Sequence, residues 1–252
     1  MRVCAFCGTE GRPLTLEHVY PDWLSGYFKH GLMGINEVGA DGKGRVWSEA
    51  IFQHKAKVVC ANCNNGWMST LETAAKPFLE GLIFTTNPKL LDAAAQQTLA
   101  FWAQKTVLMV NKGVGGAFKI PAKFYQELYA QKQPLGSIMV TLGWRMQASG
   151  NKNEPLATFE IKQIDSAITD KQSEAHVRER IAKGEIAWVA TLGLGRMVFQ
   201  FFGNGMKDAT LHIGGNDPRV FPAIHPFETN IDWPNEWPIE ALGGLDTVRK
   251  GM

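Results

Sequence analysis

The chain has almost no net charge. Lys and Arg number 26 against 24 Asp and Glu, a balance of +2. Residues 1–85 are balanced as well, with eight basic and eight acidic side chains. Non-specific nucleic-acid binders usually carry a basic footprint, so these totals argue against tight, sequence-blind attachment to DNA. No apolar run approaches the ~20 residues that span a bilayer. No apolar leader precedes the first cysteine, which leads us to expect a cytoplasmic protein with no membrane partner. Internal repeats, a phosphate-binding glycine loop and a nucleophile elbow are missing too. Gly193-Leu194-Gly195-Arg196 lacks the third glycine and the strand-to-helix setting of a dinucleotide fingerprint. Cysteine is scarce, with four in 252 residues.

Those four are ordered. Cys4-Ala5-Phe6-Cys7 and Cys60-Ala61-Asn62-Cys63 share one spacing, and no cysteine is left over. In a reducing compartment such pairs read as metal ligands before they read as disulfides. Cys-x-x-Cys is a knuckle, and two knuckles complete a tetrahedral tetrathiolate site for structural zinc. Such a site is coordinatively closed, so the ion organises the fold and does not activate water.

Between the knuckles, Thr15 to Val19 reads as a short strand. Pro21 ends it, and Asp22 caps a short helix from Trp23 to Phe28. Five glycines between Gly31 and Gly44 read as a loop. Arg45 to Val59 reads as a strand of imperfect alternation that delivers Cys60. After Cys63 the pattern is helical, with Trp67, Leu71, Ala75 and Leu79 on one face. Ser69 and Glu72 fit a capping box, and Pro77 is expected to kink or split the helix.

Cys4/Cys7, Glu17-His18-Val19 with Pro21, Cys60/Cys63 and Asn64 together resemble the HNH endonucleases. These are ββα-metal nucleases often stapled by a four-cysteine zinc. The phrase Cys63-Asn64-Asn65-Gly66-Trp67-Met68 is similar to a bacterial and phage subgroup. The resemblance covers about residues 1–80. It implies that His18 is the general base toward an attacking water. It also implies that Glu17, where Asp is more usual, and Asn64 hold a catalytic Mg²⁺ or Mn²⁺, and that DNA is the substrate. Phosphodiester hydrolysis asks for such groups: oxygen ligands for a hard cation and a base that titrates near neutrality. The family's middle Asn, which braces the base, has no clear counterpart; His54 and Asn36 are the candidates. The alternative is a non-catalytic zinc module that binds nucleic acid or protein.

Residues 86–252 read as a second domain of open role, with a protein partner as one use. The strongest helix signal spans 90–112, where Leu91, Ala95, Thr98, Trp102, Thr106 and Met109 run along one side. Pro121 opens another helix, to about Gln131. Strands are expected at Ile138–Met146, Ala157–Ile164, Ile186–Leu192 and Arg196–Phe202, the last two flanking a Gly193–Gly195 turn. Ser173 to Lys183 reads as an exposed helix. His176, His212 and His225 show no metal-ligand spacing and read as structural or surface residues. The tail from Pro226 reads as mostly irregular. The expected fold is α+β: a zinc-stabilised ββα-metal module (1–85), then a larger α+β domain (86–252) with a four-stranded antiparallel sheet.

Overall fold

A computed structural model describes residues 3–26, 32–38, 44–50, 55–113, 118–146, 157–164, 179, 183, 185–206 and 217–242. The fold is α+β, as its sequence pattern predicts. The expected helix at Ser173 to Lys183, His54, His176 and His212 lie outside the described residues, apart from Glu179 and Lys183. Among the described residues no helix is long and apolar enough to cross a membrane.

The centre is helix α3 (Ala93–Gly113). Its first half is striped, with Ala95 and Leu99 buried and Ala94 and Gln97 exposed. From Trp102 to Asn111 every residue is buried. A helix covered on all sides must carry few polar groups, and those must be paired. Gln104 donates to the Leu135 and Ile138 carbonyls and accepts from Leu135 N–H. Asn111 does the same for Phe118 and Ile120. These amides fasten loops to the helix. Lys105 is the one charged side chain in this buried run.

Seven strands form the main sheet, in the order β10-β6-β9-β8-β7-β2-β3. They are β2 (Leu32–Val38), β3 (Gly44–Ala50), β6 (Ile138–Trp144), β7 (Ala157–Ile164), β8 (Ala187–Leu194), β9 (Met197–Asn204) and β10 (Ala223–His225). The four expected strands β6–β9 are its antiparallel middle. The middle strands β6 to β9 carry buried apolar rows such as Leu142–Phe199–Leu192–Phe159. Trp102 of α3 meets Phe199 at 6.3 Å between ring centroids. The opposite face is covered as well, and β8 is buried along its whole length. One row on that face is polar: Thr141, Gln200, Thr191 and Glu160 are opposite one another on neighbouring strands.

Two expectations are corrected here. The glycine-rich stretch read as a loop contains β2, and the single strand expected over 45–59 is two strands in different sheets. β2 and β3 pair with each other, and β2 pairs in parallel with β7, Met33 opposite Ala157. Neighbouring strands supply the order that local composition withholds, since strand formation depends on tertiary pairing more than on propensity. The hairpin therefore carries the first 85 residues into the sheet of the remainder. The tail also gains structure, because β11 (Ile231–Trp233) pairs with β5 (Lys89–Leu91).

The second small sheet holds β1 (Leu14–His18) against β4 (Lys55–Cys60). A one-turn helix α1 (Ala61–Cys63), a wide turn over Asn64–Met68 kinked at Gly66 (φ −94°, ψ −113°) and helix α2 (Ser69–Phe84) follow in succession. Pro77 does not split α2. The carbonyl it leaves without an amide partner belongs to Thr73, which is exposed and can be solvated.

Candidate metal centre and adjoining polar cluster

The first knuckle closes locally. Gly8 N–H donates to the Cys4 carbonyl at 3.0 Å, with Gly8 at φ +68°, a left-handed conformation that glycine adopts without steric cost. Ala5 N–H bonds the Val58 carbonyl of β4, so the knuckle is docked on the strand that carries the second pair. Cys60 ends β4 and Cys63 ends the helical turn α1.

The four sulfurs lie within 4.8 Å of one another. Cys4 Sγ is 3.8 Å from Cys63 Sγ, and Cys7 Sγ is 3.7 Å from Cys60 Sγ. A disulfide needs about 2.05 Å. Four thiolates about 2.3 Å from a shared ion, in a tetrahedron, lie about 3.8 Å apart. The cluster therefore fits a metal ion and does not fit disulfides. Burial pushes the thiol pKa of Cys4 and of Cys63 upward. Burial also raises Cys7, but hydrogen bonds with Thr9, Cys4 and Cys60 outweigh it and bring it down to about 6. One ligand is thus ready as thiolate near neutral pH, while two must give up protons to an ion.

The cluster is wedged into the core. Phe6, between the first two cysteines, meets Trp67 at 5.3 Å and Tyr125 of helix α4 (Ala122–Gln131) at 5.4 Å. Trp67 stacks on Phe101 of α3 at 5.6 Å.

Beside it stand the three residues singled out for chemistry. Register in the β1–β4 ribbon shifts between Thr15 and Glu17: Thr15 faces Val59, whereas Glu17 faces Ala56. The extra residue on β4 is a β-bulge, which bends and twists the ribbon. It falls immediately before Glu17 and His18, neighbours that an even strand would send to opposite faces.

Asn64 Nδ2 donates to Thr15 Oγ1 at 3.3 Å, and Thr15 in turn donates to the Val59 carbonyl at 3.1 Å. The Asn64 side chain also lies near enough to the Glu17 carboxylate to favour its ionised form. Glu17 and Asn64 are thus brought together. The Glu17 pKa is raised, first by burial and then by the neighbouring Glu72 carboxylate; Lys105 and Asn64 pull the other way. Lys105 Nζ is 2.7 Å from Glu72 Oε1, with its own side chain wholly buried. Three carboxylates, Glu17, Glu72 and Asp22, stand near one ammonium, so acidic groups outnumber basic ones in the cluster.

His18 Nε2 is 3.5 Å from Asp22 Oδ1. The His18 side chain is 28% exposed, so solvent and a ligand can reach the ring. Asp22 therefore stands where a brace for His18 was sought; it opens the 3-10 turn Asp22–Gly26. Asn36 lies in β2, part of the seven-stranded sheet. His225 is engaged elsewhere, with Nε2 3.0 Å from the Leu135 carbonyl.

Sequence reasoning missed Asp22, Glu72 and Lys105 as members of the cluster. Each left a signal. Asp22 lies four residues beyond His18 across a proline turn, Glu72 lies about two helical turns beyond Asn64, and Lys105 interrupts the apolar core of the best helix. No family profile, no curated protein and no solved structure matches the chain.

Proposed function

We propose that the protein is a metal-dependent endonuclease of the HNH type acting on DNA, stapled by zinc at Cys4, Cys7, Cys60 and Cys63. The observation that carries the reading is the approach of Glu17 and Asn64, residues far apart in sequence, next to His18 on the strand opposite a bulge. DNA as substrate rests on the resemblance alone.

The donor set suits a hard divalent cation. Glu17 offers carboxylate oxygens, and Asn64, donating through Nδ2, keeps Oδ1 for a ligand. These two residues would hold Mg²⁺ or Mn²⁺, which when bound neutralises charge on the scissile phosphate. The local charge supports this. The surplus of carboxylates repels a phosphodiester and favours a divalent cation, which would offset it.

The remaining work falls to the chain itself. His18 accepts the proton of the attacking water at the nitrogen that Asp22 does not engage, Nδ1. Asp22 fixes the ring and steadies the charge that forms on it. The cysteine cluster carries no step, and it holds β1, β4 and the start of the helix in mutual register.

Nicking of supercoiled plasmid with Mg²⁺ or Mn²⁺ tests the proposal. His18→Ala is expected to lower the rate by a factor on the order of 10² or more. Equal nicking by parent and His18→Ala removes His18 from the chemistry. A second reading, a zinc module that binds without cutting, is favoured by the near-neutral charge of residues 1–85. It gains if the zinc-loaded protein cuts no substrate with any divalent metal.

A further inference from the structure

Lys105 stands out among the buried residues. It sits in the middle of the stretch of α3 that is covered on every side, and its side chain has no solvent exposure. An ammonium held in such a place without a partner is costly, so lysines are almost never fully buried unless paired. The neighbouring polar residues of α3 fasten loops through neutral amides. Lys105 instead reaches Glu72 of α2, whose side chain is 20% exposed. Trp102, one turn back, lies under the ammonium at 5.9 Å from its ring centroid.

Glu72 in turn lies near enough to Glu17 for the two carboxylates to act on each other. Two like charges in a half-buried place separate or rotate into water unless something holds them. The residue that holds Glu72 comes from the central helix, well outside the segment that resembles a nuclease.

We propose that Lys105 is a positioning residue of the proposed metal site: it anchors Glu72 near Glu17, so that the site is complete only with α3 in place. This rests on the nuclease reading for its purpose, although its geometry does not depend on it. Lys105 touches neither metal nor substrate and works through Glu72. One oxygen of Glu72 is engaged by the ammonium at 2.7 Å, which restrains the carboxylate. Residues 86–252 thereby supply a part of the site, which gives α3 a role beyond packing.

A double-mutant cycle on the full-length, zinc-loaded protein tests this. Parent, Lys105→Met, Glu72→Gln and the double variant are compared in two assays: plasmid nicking at saturating Mn²⁺, and Mn²⁺ affinity by the loss of the free-ion EPR signal. Each single variant is expected to lower nicking about a hundredfold, the usual cost of a small misplacement. Mn²⁺ affinity of Glu72→Gln is expected to fall at least about tenfold, as when a supporting group of a metal site is lost. The double variant should be no worse than the weaker single, because Lys105 acts only through Glu72.

Losses that multiply in the double variant overturn the proposal, and so does parental nicking by Lys105→Met. A purely structural lysine would lower thermal stability while leaving Mn²⁺ affinity of the folded protein unchanged, which also overturns it. Should Lys105→Met fail to fold, Glu72→Gln decides, since it keeps an acceptor oxygen for the ammonium; parental Mn²⁺ affinity there is decisive against. The nuclease reading fails separately, if the parent binds Mn²⁺ yet cuts nothing, and the affinity arm still judges Lys105 and Glu72. A parent that binds no Mn²⁺ overturns both.

Discussion

His18 and Asp22 are four residues apart with Pro21 between them, and the 3-10 turn that follows brings the carboxylate back to the imidazole. Asp22→Ala removes the group that holds the ring without touching the ring itself. Nicking is expected to fall about tenfold, less than for His18→Ala, because an orienting carboxylate contributes less than the base. Parental rates in Asp22→Ala would show that the ring needs no such partner. A second residue-scale expectation concerns Gly195, at the turn between β8 and β9. Its φ is +58°, and an added Cβ would lie 2.6 Å from the Ile83 carbonyl oxygen. Gly195→Ala is expected to destabilise the protein by roughly 2 kcal/mol, read from urea unfolding, since the backbone strain and the clash with α2 add. At this scale the sequence was informative where chemistry is local. Cys4/Cys7 and Cys60/Cys63 declare themselves by spacing. Lys105 does not, because nothing in a helical pattern says which buried position will face Glu72.

Among elements, the β1–β4 ribbon and the turn at Cys63 do most to place the cluster. Cys60 closes β4, and its backbone N–H approaches Cys4 Sγ at 3.4 Å. Cys60→Ser is expected to abolish zinc binding and to remove hydrogen-exchange protection from β1 and β4, because in small sites metal binding is folding free energy. Retained protection in a zinc-free variant would mean that the ribbon stands without the ion. Elements were legible where one face is apolar and the period is clean, as in β6–β9, α2 and α3. They were illegible where pairing decides. The glycines around Gly34 spell a loop, and pairing with β3 and β7 makes β2 a strand. The bulge at Glu17 was equally hidden, because it comes from a count of residues on the partner strand and not from β1 itself.

At the scale of the whole molecule, one buried apolar cluster runs from Cys4 through α3 to Trp233. Phe6 and Trp67 lean on Tyr125 and Phe101, so loss of the ion is expected to be felt across that cluster. Calorimetry with and without a zinc chelator should show a single transition moved to lower temperature. A lower transition that appears while an unmoved one persists would show that the two parts melt independently. The pH dependence of metal uptake follows from the thiols. Cys4 and Cys63 have raised pKa values and are protonated in the metal-free protein at neutral pH, whereas Cys7, at about 6, is already thiolate. Uptake between pH 7 and 8 then displaces at least two protons. Apparent affinity is expected to rise on the order of a hundredfold per pH unit, measured by chelator competition, and to fall more steeply below pH 6 as Cys7 protonates. A flat profile would mean that the ligands are ionised before the ion arrives.

The parallel pairing of β2 with β7 also sets an order of events in time. Met33 and its partner Ala157 are separated by most of the cysteine-bearing segment, α3 and α4. During synthesis the β2–β3 hairpin emerges long before the strand it must lie against, and parallel pairings of such long range are slow to form. The cysteine cluster closes a span of 53 to 59 residues, far shorter than the one from Met33 to Ala157, and can be complete while β2 still waits. Stopped-flow refolding is expected to show metal capture ahead of the closure of the seven-stranded sheet, with the unpaired β7 edge as the species most prone to associate with another chain in between.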